Sequence, residues 1–383
     1  MFEREIANKI NELRDKYPII QVTGPRQSGK TTLVKMLFPE YEYRNLEIPD
    51  QRLLAQSDPR AFLQLGSGQR MIIDEIQEVP ELVSYMQVEV DEQQISSQFV
   101  ITGSQNFKIS QTVSQSLAGR VAVFELLPLS YRELRENGCT LGISDLLYRG
   151  GFPAIYARQI EPADFYRDFV NTYVTRDVRM IKNIGDLSKF MRFLELLAGR
   201  IGQVLNKSSL SNDLGISVKT VEQWISVLEA SYLVFRLQPY FENVRKRLTK
   251  NPKIYFTDTG LASYLLGIDS PEELSKHFIY GSLFENFVIL EKLKRIYNSR
   301  SNERLYFWRD SKGVEIDLIV DKGLQKELME IKSGRTFHPD FVKSLESVAP
   351  LLEKRYEVEK IVIYGGDEKF VHKGVQVLPW ASL

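Results

Sequence analysis

The chain has 383 residues, 43% of them hydrophobic, and 50 Lys and Arg against 50 Asp and Glu, for a formal net charge of zero. That length leaves room for two or three cores, and without a basic excess any case for nucleic-acid binding must rest on local patches. The single cysteine, Cys139, excludes a disulfide framework, and the charged start Met1-Phe2-Glu3-Arg4-Glu5-Ile6, with no long uncharged apolar run anywhere, predicts an untargeted, cytoplasmic chain with no membrane partner.

Residues 1–16 read as an amphipathic helix with Phe2, Ile6, Ile10 and Leu13 on one face. The apolar run Pro18–Val22 then feeds Gly24-Pro25-Arg26-Gln27-Ser28-Gly29-Lys30-Thr31, which has the spacing G-x-x-x-x-G-K-[ST]. Such a turn lets consecutive backbone N–H groups converge on phosphate oxygens, and the following helix points its positive dipole end at them. Gly24, Pro25, Arg26, Gln27, Ser28, Gly29, Lys30, Thr31 and Thr32 are therefore candidate nucleotide contacts. Lys30 is expected to reach the β- and γ-phosphates of ATP or GTP, and Thr31 to offer its hydroxyl to Mg²⁺.

Strand candidates Ile19–Val22, Tyr43–Leu46, Met71–Ile73, Phe99–Thr102 and Val121–Leu126 alternate with helices, the pattern of a parallel sheet covered on both faces. The third ends in Asp74, suited to hold Mg²⁺ through water, and Glu75, suited to orient or deprotonate the attacking water. The fourth ends at Ser104, which with Asn106 is a candidate sensor of the γ-phosphate. Past Pro128 the pattern turns helical, through Leu129–Glu136, the break Arg149-Gly150-Gly151-Phe152-Pro153 and a stretch around Phe165–Ile184. Residues 1–146 are read as the nucleotide core and 147–185 as a lid or connector.

Residues 186–265 read as a winged helix: a helix lined by Phe190, Phe193, Leu194, Leu197 and Ile201, a short helix Ser208–Leu214, the turn Gly215-Ile216-Ser217 and a third helix Val218–Ala230. Lys219, Thr220 and Gln223 would face outward to contact DNA. Leu233–Leu237 and Lys253–Phe256 would pair as the wing, with Arg245, Lys246, Arg247 and Lys250 at its tip. Residues 186–250 hold ten Lys and Arg against six Asp and Glu, which suits phosphate contact, while interdomain packing remains an alternative use of the same shape.

In residues 266–383 a helix around Leu283–Leu293 carries Glu285, a strand Val314–Val320 carries Asp317, and Leu328–Lys332 carries Glu330 and Lys332 on one face. Were the strands adjacent, Glu285, Asp317 and Glu330 would converge on Mg²⁺, with Lys332 orienting water or offsetting phosphate charge. The alternative is a set of ordinary strand-edge carboxylates.

Across almost its whole length the chain resembles the bacterial and archaeal ATPases that join an AAA-type core (AAA_14) to a DUF4143 domain. The resemblance is carried by Gly24–Thr32, Ile72–Gln77, Ile101–Ser104, Ser116-Leu117-Ala118-Gly119-Arg120, Arg149–Pro153, Tyr255-Phe256-Thr257-Asp258-Thr259-Gly260-Leu261, Gly281–Glu285, Trp308-Arg309-Asp310, Val314–Asp317 and Glu330–Lys332. It implies an α/β chain: a P-loop NTPase core of AAA type with a parallel sheet, then an all-α and winged-helix part, then a restriction-endonuclease-like domain in which Glu285, Asp317, Glu330 and Lys332 stand at the PD-(D/E)xK positions. It further implies a homo-oligomeric ring such as a hexamer, with Arg120 either as an arginine finger or as a helix-end arginine that binds its own carbonyls or Glu125, and it agrees with ATP and Mg²⁺ as cofactors. Together with the winged helix and the acidic cluster, the reading is of an ATPase whose partner is DNA, branched or damaged. Arg149 could act as a nucleotide sensor or hold a turn. Two other readings stay open: a signal-transducing NTPase switch that binds a protein partner, and a DNA-binding ATPase whose last domain does not cut.

Overall fold

The short apolar runs near the amino terminus form a parallel sheet. In the computed structural model, which describes residues 2–64, 70–104, 117–178, 186–240 and 251–383, β1 (Ile19–Thr23), β2 (Glu42–Asn45), β3 (Met71–Asp74), β4 (Phe99–Gly103) and β5 (Val121–Glu125) stand in the order β2-β3-β4-β1-β5. All their pairings are parallel. β1, β3 and β4 are buried along their whole length, as continuous Ile and Val runs require when both faces are covered. Successive residues feed opposite cores: Ile20, Val22, Ile72 and Val100 join the cluster of Ile6 and Ile10, while Ile19, Ile73 and Ile101 join that of Phe62 and Leu82. Because β4 lies between β3 and β1, the strand ends that carry the candidate residues are neighbours at one edge of the sheet.

Helices follow, from Tyr131–Glu136 to Pro162–Phe169, and the last widens into a π-helix over Val170–Val178. The next three, Leu187–Ala198, Lys207–Leu214 and Val218–Ala230, each begin at a polar residue whose side chain accepts a backbone N–H: Asp186, Asn206 and Ser217. Gly215, at φ +61°, makes the left-handed stop between the second and third. β6 (Val234–Pro239) and β7 (Lys253–Phe256) then pair antiparallel from Val234↔Phe256 to Leu237↔Lys253. The tip with Arg245, Lys246, Arg247 and Lys250 lies outside the described residues.

This hairpin is continuous with the last part of the chain. β6 also pairs in parallel with β8 (Arg304–Arg309), at Gln238↔Tyr306 and Pro239↔Phe307. With β9 (Glu315–Lys322), β10 (Gln325–Lys332), β11 (Glu357–Tyr364), β12 (Phe370–His372) and β13 (Val375–Pro379) it builds an eight-stranded mixed sheet ordered β12-β13-β11-β10-β9-β8-β6-β7. One buried apolar cluster extends from Leu129 to Trp380, drawing on Phe165, Phe193, Trp224, Phe256, Phe284 and Met329. The helical part, the hairpin and the last sheet therefore share a core. Among the described residues no helix is long and apolar enough to cross a membrane.

Candidate functional site

β1 delivers the chain to Gly24, whose φ of +147° brings its Cα against the next strand's exit: a Cβ there would stand 2.2 Å from the Leu126 carbonyl oxygen. Only glycine fits. Gly29, at φ +95°, turns the loop into the helix Lys30–Leu37. The Lys30 side chain is 5% exposed and donates to the Gly24 and Pro25 carbonyls at 3.1 and 2.8 Å. Burial holds its ammonium below the usual lysine range, opposed by the carboxylates of Glu75 and Asp74.

Asp74 ends β3 and gathers hydroxyls from three elements. Thr31 Oγ1 donates to its Oδ2 at 2.8 Å, Tyr43 OH to the same oxygen at 2.6 Å, and Thr102 Oγ1 to Oδ1. Glu75 follows in the left-handed region, at φ +57°, a conformation that costs a non-glycine residue energy and that the surrounding contacts must hold. Its N–H donates to Thr102 Oγ1 at 3.4 Å, and Gln77 Nε2 donates to its carboxylate. Lys30, Thr31, Glu75 and Glu47 line one side of a cavity of about 1030 Å³, with Phe2, Pro153, Ala154 and Tyr173 also on its wall. Arg26 pairs with Glu47 at 3.3 Å. Ser104 is half-buried at the exit of β4, beside this edge, and Asn106 lies outside the described residues. The donor set fits a nucleotide with Mg²⁺: a hydroxyl and a carboxylate already share one point at Thr31 and Asp74, and Ser28 Oγ in the loop is buried without a partner among the described residues.

Sequence reasoning missed what backs this loop. Arg4 is buried and donates from Nε to Glu133, from one terminal nitrogen to the Ser28 carbonyl at 2.8 Å and from the other to the Leu127 carbonyl at 2.7 Å. Glu133 also accepts from the N–H groups of Glu5 and Ser130. Arg149 lies outside this ring of contacts: its carbonyl accepts from Tyr166 OH at 2.8 Å. Asp258, buried, accepts from Gly151 N, Leu261 N and Tyr166 OH at 2.8, 2.9 and 2.6 Å, and so fixes the Gly150–Pro153 turn whose Pro153 lines the cavity. Arg120 is a surface residue that grips Asp91 with two nitrogens, at 2.6 and 2.9 Å, and the Ala118 carbonyl at 3.2 Å.

In the second cluster Asp317 and Glu330 meet on Lys332, while Glu285 is held by other partners, and among the described residues no three His, Cys, Asp or Glu side chains are disposed to hold a metal ion. Protein groups occupy part of each carboxylate, and Glu330 Oε1 is buried without a partner among the described residues. Glu285 takes Lys253 Nζ at 3.0 Å and Tyr255 OH; Asp317 takes Ile331 N at 2.8 Å and Lys332 Nζ at 3.2 Å; and Lys332 also holds Glu330. Glu330 and Lys332 do share a face, as alternation requires. Burial, then Asp317, pushes the Glu330 carboxyl up to about 8. Lys253 and Tyr255 were not anticipated; the only sequence signal was their i, i+2 placement on one strand face.

On the helix Val218–Ala230, Lys219 and Gln223 are exposed and Thr220 half-buried. Much of the surrounding basic charge is spent internally: Arg200 pairs with Asp213, Lys207 with Glu222, and Arg236 with both Glu222 and Glu229.

A parallel sheet with a phosphate-type loop between its strand β1 and a helix, faced by an acidic strand end, defines a P-loop nucleotide-binding protein of AAA-like type. Comparison with known proteins agrees. Residues 16–135 match an AAA domain, residues 141–272 a domain of unknown function (DUF8612) and residues 280–383 another (DUF4143). Rv2008c of Mycobacterium tuberculosis, an uncharacterized protein, is 32% identical over 372 residues, covering 96% of this chain and 81% of its own. An uncharacterized Haemophilus influenzae protein is 26% identical over 360 residues, 84% of each. The chain belongs to this family of proteins that join an AAA domain to a DUF4143 domain. Among solved structures, the Walker-type ATPase PABY2304 of Pyrococcus abyssi aligns with a TM-score of 0.45 at 14% identity, over 69% of this chain and 96% of that one. A Thermotoga maritima RuvB aligns with a TM-score of 0.33 at 20% identity, over 61% and 90%.

Proposed function

We propose that the chain binds ATP with Mg²⁺ and hydrolyses it. The observation that carries the reading is the meeting of Thr31, Tyr43 and Thr102 on Asp74, one residue before Glu75, at the wall of the cavity that Lys30 enters. Lys30 neutralises phosphate charge, Thr31 and Asp74 hold the Mg²⁺, Glu75 orients the attacking water, and Ser104 reports on the γ-phosphate. The metal supplies charge neutralisation of the phosphates. Calorimetric titration of the purified chain with ATP and Mg²⁺, followed by phosphate release, tests this directly; a folded chain that binds neither ATP nor GTP overturns it.

The finer reading is that turnover serves DNA. It is supported by the exposed Lys219 and Gln223 on a helix preceded by a glycine turn, and by the sequence of the hairpin tip. Replacing Arg245, Lys246 and Arg247 with Ala should weaken binding to duplex and branched DNA and flatten its salt dependence by up to about three phosphate contacts. Unchanged affinity at low and high salt would favour a protein partner instead.

Arg120 is proposed to act across subunits of a homo-oligomer. Its pair with Asp91 is solvent-exposed and such pairs are weak, so a neighbour's phosphate can compete for it. Arg120→Ala should lower turnover by about 10³-fold with ATP affinity kept, and mixing it with Lys30→Ala chains should restore part of the rate. A co-assembled mixture that stays inactive excludes the trans role.

A further inference from the structure

We propose that Lys253 is the cation of the nuclease-like cluster: its ammonium, carried in on β7, occupies the space between Glu285 and Glu315 and keeps a divalent metal ion out. The proposal is independent of the ATP reading, since it concerns a separate group of residues.

Lys253 is 2% exposed, and its Nζ lies 3.0 Å from Glu285 Oε1 and 2.5 Å from Glu315 Oε1. An ammonium that deep is costly to leave unpaired, so its place is fixed by the two carboxylates it bridges, one on the long helix Tyr280–Ser299 and one at the start of β9. Tyr255, two residues on along the same face of β7, adds a hydroxyl to the Glu285 oxygen that Lys253 holds. Lys332 does the same service for Asp317 and Glu330. A Mg²⁺ or Mn²⁺ ion needs carboxylate oxygens at about 2.0–2.2 Å in near-octahedral array. Lys253 and Tyr255 both sit on Glu285 Oε1, and an ion drawn to this carboxylate would meet the repulsion of that ammonium at short range in a poorly solvated site.

The test is Mn²⁺ binding to the nucleotide-free, full-length chain, counted by electron paramagnetic resonance. Wild type and Asp317→Asn should give the same isotherm, because Asp317 holds no ion while Lys253 is seated. Lys253→Met should gain one Mn²⁺, bound at least tenfold more tightly than any in wild type, and Lys253→Met/Asp317→Asn should lose it again; Lys253→Arg should behave as wild type. Since removing a buried charge can impair folding, Lys253→Gln is run beside Lys253→Met. The comparison of wild type with Asp317→Asn needs no change at Lys253. A wild-type Mn²⁺ site that Asp317→Asn abolishes overturns the proposal, as does a folded Lys253→Met or Lys253→Gln chain that gains no ion.

Discussion

Lys30→Ala should abolish nucleotide binding, whereas Glu75→Gln should bind ATP as the wild type does and hold it unhydrolysed. The difference follows from where the two groups sit. Lys30 is buried within the loop itself, with its ammonium on the loop carbonyls and within electrostatic reach of Asp74 and Glu75, so its loss removes the main positive charge that phosphates would meet. A hydrogen bond to a charged group contributes roughly 1.5–3 kcal/mol, which corresponds to a loss of about ten- to a hundredfold in affinity for each phosphate contact removed. Glu75 stands one residue beyond the Asp74 hub and is held by Gln77. Its carboxylate acts on water rather than on phosphate, so the amide should cost about 10²–10⁴-fold in turnover at constant affinity. Titration with a fluorescent ATP analogue, alongside single-turnover hydrolysis, separates the two. Tight binding by Lys30→Ala would remove the phosphate role, and undiminished turnover by Glu75→Gln would remove the water role.

Glu133→Ala should destabilise the chain by about 3–5 kcal/mol, because it strands the buried Arg4 guanidinium without its carboxylate. It also removes the acceptor for the N–H groups of Glu5 and Ser130. Arg4 reaches the Ser28 carbonyl, so ATP affinity should fall as well, through a loosened loop rather than a lost contact. Replacing both partners, Arg4→Met with Glu133→Leu, should cost less than Glu133→Ala alone, since no unpaired charge is then left inside. Urea denaturation of the single and double variants measures this. A loss under about 1 kcal/mol for Glu133→Ala would mean that the guanidinium finds water or another acceptor.

The parallel sheet and its loop were legible because their signals are local: five strand candidates, four of them apolar runs, a glycine-rich turn and carboxylates at one strand end. Thr31 and Asp74 were paired in expectation by chemical type, and the strand order brought them together. Tyr43 was not anticipated, since its alternation within β2 says nothing about which side of β3 it will meet. The Ser130-x-x-Glu133 spacing marks a helix start in any sequence, yet Arg4 comes to it from 129 residues away, and no periodicity encodes that approach. The carboxy-terminal acids were found in the right order, while Lys253 was not placed among them: it reads as an ordinary wing-strand lysine until β7 is known to pack beside the helix that carries Glu285. Similarly, Glu125, the alternative partner expected for Arg120, instead accepts from Tyr232 OH at 2.9 Å, and Arg120 takes Asp91.

The pairing of β6 with β8 has a consequence for how this chain can be divided. Cutting it at residue 265 would strip β6 of the strand beside Gln238 and Pro239, and would open to water the flank of the apolar cluster that reaches from Leu129 to Trp380. The carboxy-terminal piece would keep the cluster around Ile319, Leu345 and Val362, but both pieces would carry exposed apolar surface where the shared cluster was cut. A foreign module grafted at this point would therefore have to rebuild the seam.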